Sequence, residues 1–170
     1  MSVSVIIPAL NEEGTVADVV RACLADEPLE VLVIDADCTD ATASRAAAAG
    51  ADVRNWRDIL PEEPRAGKGE SLWRGVAAAK GDIVVFVDAD LESAAPGMVT
   101  ALAAPFADPA VEMVKACYRR SLNGQPTGGG RVTELTAKPL IKQFFPELAH
   151  IDQPLGGEYA LRRATALELP

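Results

Sequence analysis

The chain has 170 residues, close to the usual size of one domain, and 49% of them are apolar, enough to build a buried sheet. Its formal charge of −9 argues against a nucleic-acid-binding surface, which needs a basic face for the phosphates. Its three cysteines (Cys23, Cys38 and Cys117) are odd in number and lack Cys-x-x-Cys spacing, which argues against a disulfide framework or a zinc site. An acidic protein that binds anions must concentrate its positive charge locally or recruit a metal.

Residues 3–7 are a short β-branched run that predicts a buried strand ended by Pro8. Residues 15–24 carry Val16, Val19, Val20 and Cys23 at helical spacing, and residues 30–34 are a second apolar strand. Residues 40–49 are alanine-rich and close on Gly50, a helix with a glycine stop; Thr39 is its expected cap. Residues 52–55 read as a short third strand, and residues 57–69 as a Pro-, Gly- and charge-rich loop. A helix over 70–80 ends at Gly81, and residues 83–87 are the most strand-like run in the chain. A helix over 96–106 and a strand over 111–118 follow.

This alternation predicts an α/β fold, a mostly parallel central sheet flanked by helices. Ligands of such sheets bind outside the carboxyl ends of the strands. The turns after Ile7, Ile34 and Val87 are all polar or acidic and should share that edge. Beyond Tyr118 the pattern changes. Residues 123–130 read as a flexible turn, 131–145 as a helix interrupted near Pro139, and 152–161 as a loop entering a strand or short helix. The whole is expected to be one domain, with 1–118 its nucleotide-binding half and 119–170 its second part. The N-terminus has no basic leader and no segment has about 18 uncharged apolar residues, so a cytoplasmic protein without a membrane span is expected.

Asp88-Ala89-Asp90 follows the strongest strand. Two carboxylates one residue apart at a strand end can turn toward one hard cation, Mg²⁺ or Mn²⁺, which would bridge the phosphates of a sugar nucleotide. The pair reads equally as a solvated, helix-capping turn. The acidic turn of Asp35 and Asp37 could bind ribose or base edges, or serve only as a turn. Gly67-Lys68-Gly69-Glu70 places a lysine between glycines before a helix, suited to phosphate or merely exposed. Gly128-Gly129-Gly130-Arg131-Val132-Thr133 repeats that logic as a second anion site or a flexible lead-in. Two anion sites around one acidic site fit a nucleotide donor and a phosphorylated or carboxylated acceptor. His150, the sole histidine, reads as structural or exposed, Trp56 and Trp73 as packing residues, and Glu158-Tyr159 as a turn that could face a sugar.

Taken in order, Pro8-Ala9-Leu10-Asn11-Glu12-Glu13, Gly67-Lys68-Gly69-Glu70, Val87-Asp88-Ala89-Asp90-Leu91, Thr127-Gly128-Gly129-Gly130-Arg131-Val132-Thr133-Glu134-Leu135 and Gly157-Glu158-Tyr159-Ala160 resemble the glucosyl-3-phosphoglycerate synthases. These are retaining glycosyltransferases of the GT-A (Rossmann-like) nucleotide-diphospho-sugar transferase fold. The resemblance implies transfer of glucose from UDP-glucose to D-3-phosphoglycerate, or a related transfer with another sugar nucleotide or glycerate. A non-catalytic nucleotide-sugar-binding domain is the further alternative.

The resemblance also implies the site. Pro8, Ala9, Leu10 and Glu12 would surround uracil and ribose. Ala36 and Asp37 occupy a turn against the nucleotide where the family has glycine or serine. Lys68, Ala89 and Tyr159 would contact the donor, and Asp88 and Asp90 would hold Mg²⁺ or Mn²⁺. Gly129, Gly130, Arg131 and Thr133 would bind the acceptor phosphate. Glu158 and Tyr159 would lie near glucose, with Asp90, Lys68 and Glu158 the catalytic set. Family members continue past the Gly-Glu-Tyr-Ala block, with a metal-binding histidine and dimer contacts there. His150 precedes the block and does not match that histidine, so a chain truncated relative to the family is expected, and a homodimer is possible.

Overall fold

The computed structural model describes residues 1–117, 120–122, 125–127 and 130–169. Strands β1 (Val3–Ala9), β2 (Glu30–Asp35), β3 (Asp52–Asn55) and β4 (Ile83–Phe86) are joined by helices α1 (Val16–Leu24), α2 (Thr42–Ala48) and α3 (Lys68–Ala78). Helix α4 (Met98–Ala103) leads to β5 (Met113–Lys115), and β8 (Tyr159–Arg162) is followed by α6 (Arg163–Glu168). These six strands form one sheet in the order β3-β2-β1-β4-β8-β5. The first four are mutually parallel, and β8 enters antiparallel to β4 with Phe86 opposite Tyr159. The α/β class and mostly parallel sheet read from the sequence are therefore correct.

Helices cover both faces, which is why the strands read as continuous apolar runs and not as alternating ones. Ile6, Leu32, Ile34, Val84 and Phe86 pack with Val76 of α3 and Ala166 of α6. Val5, Ile7, Val31 and Val33 alternate with them along the strands, and all four are buried. Gly75 lets α3 lie close to the sheet: a Cβ there would stand 2.4 Å from Ile6 Cγ2. Any side chain at that position would overpack, at a cost of about 1–3 kcal/mol.

Several boundaries differ from the sequence reading. Pro8 does not end β1, which runs on to Ala9 opposite Asp35. The carbonyl of Ile6 accepts from Val87, whereas that of Ala9 accepts from Ala36. Pro8 shares the parity of Ile6, so its nitrogen faces the β4 side beyond the last paired residues, Ile6 and Phe86. No ladder bond is lost there.

Thr39 is not the cap of α2. Its N–H donates to Asn11 Oδ1 at 2.8 Å, while Asp40 Oδ1 accepts from the Thr42 N–H at 2.9 Å. Gly50 does stop that helix, at φ +107°. The helix expected over 96–106 shortens to α4 and a 3-10 turn, Ala104–Ala107, with Pro105 in its first turn. The strand expected over 111–118 shortens to β5.

The chain divides into two compact units, Met1–Val114 with Glu158–Pro170, and Lys115–Gly157. In the second, β6 (Arg120–Leu122) pairs antiparallel with β7 (Gln125–Thr127); β7 falls within the turn expected over 123–130, of which residues 123, 124, 128 and 129 lie outside the described residues. A π-helical turn, Thr133–Ala137, then runs into α5 (Lys138–Phe144). Pro139 follows on that π-helical turn, so the expected interruption is a change of helical pitch.

Candidate functional site

A cleft of about 240 Å³ opens at the carboxyl ends of the parallel strands. Pro8, Ala9, Leu10 and Glu12 reach it from β1, and Ala36 from β2. Trp56 follows β3, Asp88, Ala89 and Asp90 follow β4, and Gly67, Lys68 and Ser71 come from the start of α3. Eight residues anticipated for the donor thus line one cavity. Ser71 was missed. Trp56 was read as a packing residue, and it is one: it is buried in the core cluster with Ile6 and Ile34, and it also reaches the cleft.

The lining combines two kinds of side chain. Pro8, Ala9, Leu10, Ala36 and Trp56 offer apolar surface suited to a planar heterocycle. Lys68, Asp88, Asp90 and Glu12 bring charge to the same cavity. Gly67, at φ +132°, turns the chain into α3 so that Lys68 begins the helix. The Lys68 ammonium donates to the Asp88 carboxylate. The Thr15 hydroxyl donates to the Ala89 carbonyl at 2.7 Å, tying the Asp-Ala-Asp turn to the entry of α1.

Glu12 is held by its own N–H, which donates to the Thr42 hydroxyl at 2.8 Å. Burial pushes its carboxyl above the ordinary range, and the negative charges of Asp90, Asp40 and Asp88 add to that. This crowding of carboxylates is what a hard divalent cation offsets. Asp88 and Asp90 fit such an ion as oxygen donors. Among the described residues no group of three or more His, Cys, Asp or Glu side chains could hold a metal.

Asp37 stands apart from the cleft lining. It adopts φ +63°, and Arg57 Nε donates to its Oδ2 at 2.9 Å, with Asn55 Nδ2 on Oδ1 at 3.1 Å. The Arg57 hydrogen bond, then that of Asn55, lowers its pKa to about 2. Its neighbour Ala36 is the residue of that turn that faces the cleft.

Tyr159 stacks on Phe86 with ring centroids 4.6 Å apart. Burial raises its phenol pKa, and the charge of Asp88 adds to the effect. The β4–β8 register puts Glu158 one residue beyond Tyr159, level with Val87 and next to the Asp-Ala-Asp turn. Glu158 is 4% exposed, and its Oε2 has no hydrogen-bond partner among the described residues. Neither Glu158 nor Tyr159, both expected near the sugar, is among the residues that line the cleft. A buried carboxylate oxygen without a partner is chemically a ready acceptor for a hydroxyl.

In the second unit Arg131 is exposed and opens the helical run, and Thr133 follows in its first turns. The Gly130 carbonyl accepts from the Glu134 N–H at 3.1 Å. Gly129 lies outside the described residues. His150 is exposed, with Nδ1 2.8 Å from the Glu147 carbonyl.

The chain belongs to glycosyl transferase family 2, whose model matches residues 4–165. It is 48% identical, over 99% of its own length, to the glucosyl-3-phosphoglycerate synthase of Mycolicibacterium paratuberculosis, of which it spans 55%. The synthase of Mycobacterium tuberculosis has been crystallised with Mn²⁺, UDP-glucose and phosphoglyceric acid. That structure superposes with a TM-score of 0.86 at 46% identity, over 96% of this chain and 57% of the other. A second structure of it, with Mn²⁺, UDP and glucosyl-3-phosphoglycerate, gives 0.86 at 45% identity over the same shares. The fold is thus GT-A, as the resemblance implied. The chain spans about half the length of the curated relatives it matches. Among the described residues no helix is long and apolar enough to cross a membrane.

Proposed function

We propose that this chain binds UDP-glucose in the cleft and serves a cytoplasmic glucosyl transfer to D-3-phosphoglycerate, with retention, giving glucosyl-3-phosphoglycerate. The observation that carries the reading is the joining of Asp88, Asp90 and Lys68 to an apolar nucleoside wall in one cavity at the strand ends. The similar synthases, with their donor, acceptor and product complexes, narrow the sugar nucleotide and the acceptor.

In this reading Pro8, Ala9, Leu10 and Glu12 hold the nucleoside, with Asp37 keeping the Ala36 turn in place. Asp88 and Asp90 hold Mg²⁺ or Mn²⁺, which when bound offsets the charge of the diphosphate. The bond from the glucose anomeric carbon to the diphosphate oxygen breaks, and its electron pair leaves with UDP. Lys68 stabilises that developing charge. The acceptor hydroxyl oxygen bonds the same carbon from the same face and passes its proton to the departing phosphate oxygen. Glu158 and Tyr159 orient the glucose. Gly129, Gly130, Arg131 and Thr133 take the acceptor phosphate, Arg131 by charge-assisted hydrogen bonds that supply proximity. A homodimer is part of the proposal.

The test is a panel of sugar nucleotides and glycerate acceptors, assayed for nucleotide release. UDP release that requires both a divalent cation and 3-phosphoglycerate is the expected result. Release from another donor or acceptor would redirect the substrate assignment. Tight UDP binding with no release under any pairing would make the chain a nucleotide-sugar-binding module.

A further inference from the structure

Residues 56–67 join β3 to α3, and the ends of this segment place Trp56 and Lys68 in the cleft. The segment carries Pro61, Pro64 and Gly67, and after a single 3-10 turn, Trp56–Asp58, it has no regular structure until α3. Its hydrogen bonds must come from elsewhere. Arg74, within α3, supplies them. Its side chain is 0% exposed, and it heads the fully buried side chains in size. Nη1 donates to the carbonyls of Trp56 at 2.9 Å and Leu60 at 3.2 Å, and Nη2 to that of Glu62 at 2.5 Å. Nε donates to Glu70 Oε1 at 2.7 Å, one turn back along the same helix.

Arg74 does not line the cleft and takes no part in the chemistry proposed above. A guanidinium buried for stability alone is a poor bargain, since its desolvation competes with the energy of its contacts. Here these four hydrogen bonds converge on one irregular segment and on the helix that starts with Lys68. We infer that Arg74 is a positioning residue for donor binding. It pins residues 56–62 to α3 and so sets where Trp56 and Lys68 stand in the cleft. Lysine cannot replace it, because a point charge on a flexible stem does not offer a planar fork to three carbonyls and a carboxylate.

The inference rests on the donor-site reading, so its test carries a readout that needs no ligand. The chain has two tryptophans, and a Trp73→Phe background leaves Trp56 as the sole reporter. In that background Arg74→Lys should shift Trp56 emission to the red and raise its quenching by acrylamide. The Kd for UDP with Mn²⁺ should rise about tenfold or more, since a misplacement of ~1 Å can cost that much. The KM for 3-phosphoglycerate should not move. Leu102→Ala, a core change in α4, is the matched control for lost stability. Unchanged emission and UDP affinity in Arg74→Lys would overturn the inference. So would an equal loss of UDP affinity in Leu102→Ala at a matched drop in Tm. The Arg74 guanidinium lies over the Trp73 ring, 5.9 Å from its centroid, so the unaltered chain is the reference for binding. If the unaltered chain binds no UDP, the donor-site reading fails, while the Trp56 emission still decides the brace.

Discussion

The ammonium of Lys68 rests on the carboxylate of Asp88, joining the first residue of α3 to the turn after β4. The two side chains are 51% and 26% exposed. An ion pair so open to solvent contributes about 0–1 kcal/mol to stability. Lys68→Ala should therefore leave Tm nearly unchanged and weaken UDP binding by about tenfold, the loss of one charge-assisted contact to a phosphate. Calorimetric titration with UDP and a thermal melt check both halves. A large drop in Tm with unaltered UDP affinity would mark the pair as structural.

Asp90 is exposed in the lining of the cleft and is among the charges that raise the Glu12 carboxyl. As one of two proposed oxygen ligands, it should carry the metal dependence of donor binding. Asp90→Ala is expected to bind UDP equally with Mn²⁺ and with EDTA, whereas the unaltered chain should bind far more tightly with Mn²⁺. A retained Mn²⁺ effect would remove Asp90 from the metal site.

Glu12 makes the cleft sensitive to pH. Its carboxyl pKa is raised in the folded state, chiefly by burial and then by Asp90, Asp40 and Asp88. The folded chain thus binds more protons than the unfolded one between the ordinary carboxyl range and the raised value. Stability falls as pH rises through that window. Glu12→Gln should flatten this part of the Tm–pH curve. Mn²⁺ with UDP should draw a proton off Glu12 in the same window, seen as a heat of binding that varies with the ionisation enthalpy of the buffer. A buffer-independent heat would mean that the cation does not act on Glu12.

Arg131 is exposed at the head of a helical run in the second compact unit. Arg131→Ala should raise the KM for 3-phosphoglycerate by about tenfold or more, the typical loss of a charged hydrogen-bonding partner, and leave that for UDP-glucose within about twofold. Steady-state kinetics with each substrate varied in turn give the comparison. Equal effects on both would argue against an acceptor-phosphate site.

Much of the first unit was legible in the sequence. Strands β1 to β4 and helices α1 to α3 lie within about two residues of the segments read from apolar runs and glycine stops. A strand buried on both faces, or a helix with one buried stripe, writes its own local pattern. The edge of the sheet that bears the cleft followed from the same pattern, because parallel strands put their carboxyl ends together. Asp88, Asp90 and Lys68 could therefore be singled out before any coordinates.

Other features depend on partners far away in the chain, and no local pattern encodes them. Tyr159 and Glu158 reach the first unit because β8 inserts antiparallel beside β4. Asp37 is engaged by Arg57, twenty residues on. Arg74 looks like one more surface charge in an amphipathic helix, yet it is buried because three carbonyls of the preceding loop meet it there. The Lys68–Asp88 pair combines both levels. Each residue stood out in the sequence, but their contact exists because β4 lies beside β1 and α3 crosses that sheet.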